Sequence, residues 1–268
     1  MNTEELIKIG IAQGQYPERL YKYRTIDSAI ITLREPSIYL SSITDFNDPY
    51  EGHYLLDADN TKQEWFNFLH TQGGDSCEAE ALAQQLISDP QKAKEFQEKS
   101  INNVLSSSGV YCFGKKCDNI LMWAYYAEDH RGVCIEFDPL KDDELCNILL
   151  PINYSNNYVQ FNYLKDNSGP TKAILQKAKC WEREEEYRLI KINKAKTILK
   201  IKPSAITAVV LGCNFNKPFA DADKEKEYEA KRKQLFDLLK DPKYSHVKIK
   251  QCQQANDNYQ LIINEYEN

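Results

Sequence analysis

The stretch 184–211, EEEYRLIKINKAKTILKIKPSAITAVVL, reads as three strands in quick succession, over 184–192, 197–201 and 206–211. Each is short and rich in the Tyr, Ile, Val and Thr residues that fit a pleated surface. The gaps hold Asn193, Lys194 and Pro203-Ser204, which is turn chemistry with no room for a crossover helix. Strands joined by short turns suggest a largely antiparallel sheet. Upstream, 149–154 and 158–163 read as two more strands, followed by a helix over 171–178. Downstream, a charged helix over 216–239 precedes a closing hairpin, 246–252 and 259–266, turned at Asn256-Asp257-Asn258.

The first half carries the helices. An opening helix is expected over 3–11, then a strand at 20–24, where aromatic and charged residues alternate. Asp27 or Ser28 caps a helix that runs to Arg34 and stops before Pro36. Strands follow at 37–42, 110–113 and 133–137. A helical block over 61–107, broken at Gly73-Gly74 and Asp89-Pro90, separates the first two of these. Asp118 or Asn119 caps a helix over 120–130, with Gly132 at the left-handed position past its end. Helices collected in a block, and strands joined by short turns, specify an α+β fold with a mostly antiparallel sheet. The whole of 1–268 is expected to form one domain, with a core over about 20–212 and the segment 216–266 packed onto it.

Composition narrows the function. With 268 residues, 42% hydrophobic and 28% charged, the chain can bury a sizeable core and is too apolar for disorder. It contains no run of about 20 apolar residues that would span a bilayer. Glu4 and Glu5 stand where a secretory leader carries bases, so a cytoplasmic location is expected. Against 34 basic residues stand 40 acidic ones, a net charge of −6, which argues against generic nucleic-acid binding. The eight cysteines form no Cys-x-x-Cys pair, and Cys112 and Cys117, five apart, have no matching second pair or nearby histidines, so reduced thiols and no metal site are expected. The glycine-rich nucleotide loops, the Gly-x-Ser-x-Gly elbow and the His-Glu-x-x-His signature are all missing from the sequence.

The best candidate for chemistry is the run 181–188, WEREEEYR. As a strand, its period of two sets Glu184, Glu186 and Arg188 on one face. Neighbouring carboxylates push one pKa upward, which suits acid–base work or the stabilisation of an oxocarbenium ion. The same charges also suit an exposed edge strand that resists aggregation. Arg24, at a strand end beside Tyr23, can hold a phosphate or carboxylate through two parallel hydrogen bonds. Met122, Tyr126 and His130 fall four apart on one helical face, with Trp123 on a neighbouring stripe. Such stripes more commonly serve a core than a ligand.

Further short blocks follow one another in order. They are Lys22-Tyr23-Arg24, Leu40-Ser41-Ser42 leading into Phe46-Asn47-Asp48-Pro49, Cys112-Phe113, and NILMW at 119–123. Tyr126-Ala127, His130-Arg131-Gly132 and Cys134-Ile135 come next, then Trp181 with Glu184, Glu186, Tyr187 and Arg188. From about 20 to 212 the series resembles the bacterial domain-of-unknown-function family 2971. Gly114 and Tyr125 depart from the family pattern, standing where Ser or Thr and where His are common. Some members sit among phage-defence or abortive-infection genes, so the resemblance implies a place in bacterial defence.

A looser likeness is to ADP-ribosyltransferases. These place an Arg or His on an early strand, a Ser or Tyr on a second, and a Glu, often as Glu-x-Glu, on a later one. Arg24, Ser41 or Ser42, and Glu184 with Glu186 fall in that order. The likeness implies NAD as substrate, with Arg24 on its phosphates or ribose and Ser41 bracing the nicotinamide pocket. It implies that Glu186 holds a ribose hydroxyl and stabilises the oxocarbenium-like transition state, while Glu184 orients the acceptor. Tyr23, Ser42, Trp123, Tyr126, His130 and Arg188 complete the expected cofactor contacts. The expectation is therefore an NAD-using, transferase-like effector or toxin. A nucleotide-binding sensor that does not need Glu186 is the alternative, and a nuclease comes third.

Overall fold

In the computed structural model, which describes residues 3–146 and 149–266, α1 (Thr3–Ala12) leads into the sheet at β1 (Leu20–Arg24). Thr25, rather than Asp27 or Ser28, caps α2 (Ile26–Arg34), its hydroxyl accepting from the Ser28 amide. After β2 (Ser37–Ser42) and β3 (Tyr54–Leu56) come α3 (Lys62–Thr71), α4 (Ser76–Ser88) and α5 (Pro90–Ser107). The breaks between these helices fall where Gly73-Gly74 and Asp89-Pro90 put them. Thr61 and Glu64 cap α3 reciprocally, and Asp75 and Asp89 cap the other two.

β4 (Gly109–Gly114), α6 (Ile120–Tyr126) and β5 (Val133–Phe137) follow, then the short β6 (Leu149–Pro151), β7 (Asn153–Ser155) and β8 (Val159–Phe161). Instead of one helix over 171–178 there is α7 (Gly169–Ile174) and then β9 (Gln176–Ala178), which pairs parallel with β7. β10 (Glu186–Lys191), β11 (Thr197–Lys200) and β12 (Ile206–Leu211) are the three strands of the opening stretch. α8 (Ala222–Leu239) starts later than 216, at the point where Asp221 supplies its cap. β13 (Lys248–Gln254) and β14 (Leu261–Glu265) form the closing hairpin.

Among the described residues ten strands share one sheet, ordered β11-β2-β4-β1-β5-β12-β13-β14, with β10 and β6 branching from β4. Its pairings are antiparallel except for β12 with β13, where α8 makes the crossover. The fold is α+β with a mixed, mostly antiparallel sheet.

β4 carries the branch. β10 pairs along its whole length, from Glu186 opposite Gly114 to Lys191 opposite Gly109. On the other edge β2 takes only the start, with Ser41 opposite Val110, and β1 only the end, with Tyr21 opposite Gly114. β1 and β2 therefore part like the prongs of a fork, and α2 bridges them. The gap opens beside Tyr111, Cys112 and Phe113.

The core holds this arrangement rigid. α2 and α8 pack together, and their Ile30, Leu33, Leu235 and Leu239 join Leu20, Ile135, Val209 and Leu211 in the main cluster. Each such side chain contributes about 1.5–3 kcal/mol by leaving water. Trp123 joins Tyr23, Cys134, Val210 and Cys252 in a second cluster, and α3 to α5 enclose a smaller one around Trp65, Ala83 and Leu86.

Two local expectations are corrected. The run 181–188 is not a continuous strand. Lys179–Glu184 forms a 3-10 turn, Glu185 is left-handed at φ 45°, and β10 starts only at Glu186. Glu186 lies opposite the last residue of β4, so the residues before it have no strand to pair with there. Their backbone closes locally instead, the Glu185 amide donating to the Glu182 carbonyl.

α6 also ends early, at Tyr126, and Glu128, Asp129 and His130 take left-handed φ of 51°, 53° and 66°. The Asn214 amide donates to the His130 carbonyl and the Gly212 amide to the Gly132 carbonyl, which draws the chain out of the helix. Gly132 is not itself left-handed. It supplies space, because a Cβ there would lie 2.1 Å from the Arg24 carbonyl oxygen.

Candidate functional site

The fork opens into a cavity of ≈ 680 Å³ that runs from α2 and β2 to the start of β10. Its charged walls come from different elements, and the two signs lie at different places.

Alternation along β1 puts Lys22 and Arg24 on one face. Lys22 Nζ donates to the Cys112 carbonyl at 2.6 Å and lies 4.7 Å from the centre of the Tyr111 ring. The Arg24 guanidinium lies 5.5 Å from the same ring and donates to its hydroxyl at 3.3 Å. Arg24 Nε is buried without a partner. Among the described residues neither cation makes an ion pair with a carboxylate. Burial, reinforced by Arg24, pulls the Lys22 ammonium down to about 8.

The acidic end is built by the turn at Glu185. Reversing there brings Glu184 and Glu186 to a single ammonium, that of Lys177 on β9. Lys177 Nζ is 2.5 Å from Glu184 and 3.0 Å from Glu186. Arg188, fully buried, donates from Nε to Glu186 at 2.6 Å and from Nη2 to Glu51 at 2.9 Å. Its Nη1 donates to the Ile174 carbonyl. The Tyr126 hydroxyl donates to Glu184 at 2.9 Å.

These contacts set the charge states. Burial alone would raise Glu186, but the Arg188 guanidinium and Lys177 ammonium outweigh it and hold the carboxyl down to about 2. Burial would lower Lys177, and Glu186 and Glu184 raise it above the ordinary lysine range instead. Burial and the neighbouring Glu186 push Cys112 up to about 12, so it stays a neutral thiol and not a nucleophilic thiolate. At Glu51 burial prevails over Arg188 and Lys177, and its pKa is raised.

Of the residues singled out from the sequence, Tyr23, Arg24, Ser41, Tyr126, Glu184 and Glu186 line the cavity. Glu184 and Glu186 do meet, though through the turn and not through a strand face. Four others lie outside the lining. Ser42 donates to the Ser106 carbonyl at 3.0 Å and caps the turn after β2. Trp123 is fully buried, its Nε1 donating to the Cys117 carbonyl at 2.7 Å. His130 has left the helical face of Met122 and Tyr126 and stacks on Trp123, 6.3 Å between ring centres. Arg188 reaches the cavity only through Glu186 and Glu51.

Sequence reasoning missed Lys22, Lys177 and Glu51. The alternation that exposed Arg24 also pointed to Lys22. Nothing local marked Lys177 or Glu51. The eight cysteines are free thiols, and among the described residues no group of three or more His, Cys, Asp or Glu is arranged to hold a metal ion. No helix of the described residues is long and apolar enough to cross a membrane.

Residues 122–189 match the family described as "Protein of unknown function (DUF2971)", the one that the sequence blocks resemble. The matched segment runs from α6 into β10. It carries Tyr126, Lys177, Glu184, Glu186 and Arg188 and leaves out Arg24 and Ser41. No curated protein and no solved structure matches the chain.

Proposed function

We propose that the forked cavity binds NAD and that the protein is an ADP-ribosyltransferase-like enzyme acting at the nicotinamide–ribose bond. One observation carries this reading. Arg24 of β1, Ser41 of β2 and Glu186 of β10, widely separated in sequence, line one cavity. The family resemblance extends the proposal to an effector in bacterial defence.

The chemistry of the walls supports it. Lys22 and Arg24, unmatched by carboxylates, suit a diphosphate. Ile31, Tyr39 and Ile198, exposed at the rim, suit an aromatic base. Glu186, ionised at every ordinary pH, suits a ribose hydroxyl and the positive charge that develops on the ribosyl carbon. As the C–N bond breaks, its electron pair passes to the pyridine nitrogen and nicotinamide leaves neutral. Arg188 and Lys177 position the Glu186 carboxylate. Glu184, tied to Tyr126 and Lys177, and Glu51 complete the acidic wall.

A nucleotide sensor without turnover is the second reading, and one observation favours it. Lys177 and Arg188 already match the charge of Glu186 before any ligand arrives.

The test is nicotinamide release from NAD by the purified protein, with cell lysate supplied as acceptor. The wild type is expected to release nicotinamide, and Glu186→Gln to lower the rate by roughly 10²–10³-fold with little change in NAD affinity. Binding without release selects the sensor. Neither binding nor release ends both readings.

A further inference from the structure

The turn that follows Phe46-Asn47-Asp48-Pro49 delivers Glu51 to the acidic end of the cavity. Its side chain is 2% exposed, yet it lines the cavity wall. Glu51 Oε1 accepts from Arg188 Nη2 at 2.9 Å and lies 3.5 Å from Lys177 Nζ. Glu51 Oε2 is buried and has no hydrogen-bond partner. Leaving such an oxygen unpaired is costly, and a purely structural carboxylate would avoid it by turning to a donor.

Its two neighbours are differently placed. Glu184 spends one oxygen on the Tyr126 hydroxyl and the other on Lys177. Glu186 is held through both oxygens by Arg188 and Lys177. Only Glu51 keeps an oxygen free to take a proton.

We propose that Glu51, and not Glu184, is the catalytic base that takes the proton from the attacking acceptor. The assignment rests on the NAD-cleaving reading above. An acceptor hydroxyl, or water, forms its C–O bond to the ribosyl carbon as the bond to nicotinamide breaks. The electron pair of that bond leaves on the pyridine nitrogen, and the acceptor proton moves to Glu51 Oε2. The products are the ADP-ribosylated acceptor, or ADP-ribose, with neutral nicotinamide and one proton for return to solvent.

The electrostatics agree with this division. The charged groups facing Glu51 are Arg188 and Glu186 from β10 and Lys177 from β9. Burial prevails over the two cations at Glu51, whereas the cations prevail over burial at Glu186. Surroundings that push two carboxyl groups apart make one the proton carrier and leave the other a permanent anion.

Two reactions of the same enzyme separate the roles. Transfer to water or a hydroxyl releases a proton. Exchange of labelled nicotinamide into NAD does not, because the incoming pyridine nitrogen carries none. Nicotinamide release by the wild type should rise about tenfold per pH unit on its acid limb. Glu51→Gln, which keeps an oxygen for Arg188, should lose release by roughly 10²–10⁴-fold, flatten that limb, and lower exchange only a few-fold. Glu51→Asp should keep the limb at a reduced rate, and Glu186→Gln should lose both reactions.

Release with an unchanged pH profile in Glu51→Gln overturns the assignment. So does a loss of exchange as large as the loss of release, which makes Glu51 a positioning residue. A wild type that neither releases nor exchanges nicotinamide overturns the NAD reading itself, and the role of Glu51 falls with it.

Discussion

The two ends of the cavity hold opposite charges and treat them in opposite ways. At the inner end Glu51, Glu184 and Glu186 meet Lys177 and Arg188, and the charges are fixed by hydrogen bonds inside the protein. On β1, Lys22 and Arg24 meet no carboxylate, and a tyrosine ring and a backbone carbonyl are their main partners. Matched charges are there to be held in place. Unmatched ones leave their electrostatic energy for something that arrives from solution. The inner end should therefore answer to mutation through stability and turnover, and the outer end through affinity.

Breaking the inner end should have the largest effect. Arg188→Met leaves Lys177 as the one cation, among the described residues, paired with Glu51, Glu184 and Glu186 in the interior and is expected to cost about 3–5 kcal/mol, read as a shift in urea midpoint. The same pairing predicts an acid limb in stability. The folded pKa of Glu186 lies near 2 against an ordinary 4.5, so the stabilisation is complete above 4.5 and is lost as pH falls toward 2. In Glu186→Gln that limb should become shallower.

Arg24→Met should act in the reverse sense, lowering ADP affinity by about tenfold while leaving stability within about 0.5 kcal/mol. An equal loss of stability there would erase the contrast. The smallest effect belongs to Lys22. Its folded pKa of about 8 means that it is charged below that value and neutral above it. Affinity for inorganic pyrophosphate, followed by calorimetry, should fall several-fold as pH rises through about 8. Lys22→Met should bind more weakly at low pH and lose this dependence.

Much of the architecture was readable before the structure. The strand at β1, the helix breaks at Gly73-Gly74 and Asp89-Pro90, and the three strands of 184–211 are local signals, and local chemistry decided them. The order Arg24, Ser41, Glu186 pointed to one cavity although sequence order alone carries no distance. What failed depended on partners. Glu184 was misplaced on a strand because the end of β4, which limits β10, is not visible in the acidic run. His130 was misplaced on a helix because the loop at Gly212 and Asn214 ends α6 from outside. Lys177 was hidden inside a helical pattern, since β9 forms only by pairing with β7. Glu51 carries no local mark at all, and only its unpaired oxygen in the finished wall distinguishes it.

The parallel pairing of β12 with β13 has a consequence for how the protein is made. β12 is a central strand whose outer neighbour lies beyond the α8 crossover, at Lys248–Gln254. While synthesis proceeds from the N-terminus, β12 emerges well before that neighbour, with Ala208, Val209, Val210 and Leu211 on an open sheet edge. Such an edge is a template for pairing with other nascent chains. A ribosome stalled between α8 and β13 would present an aggregation-prone intermediate. Pairing of the β13–β14 hairpin with β12 is thus the step that covers this edge.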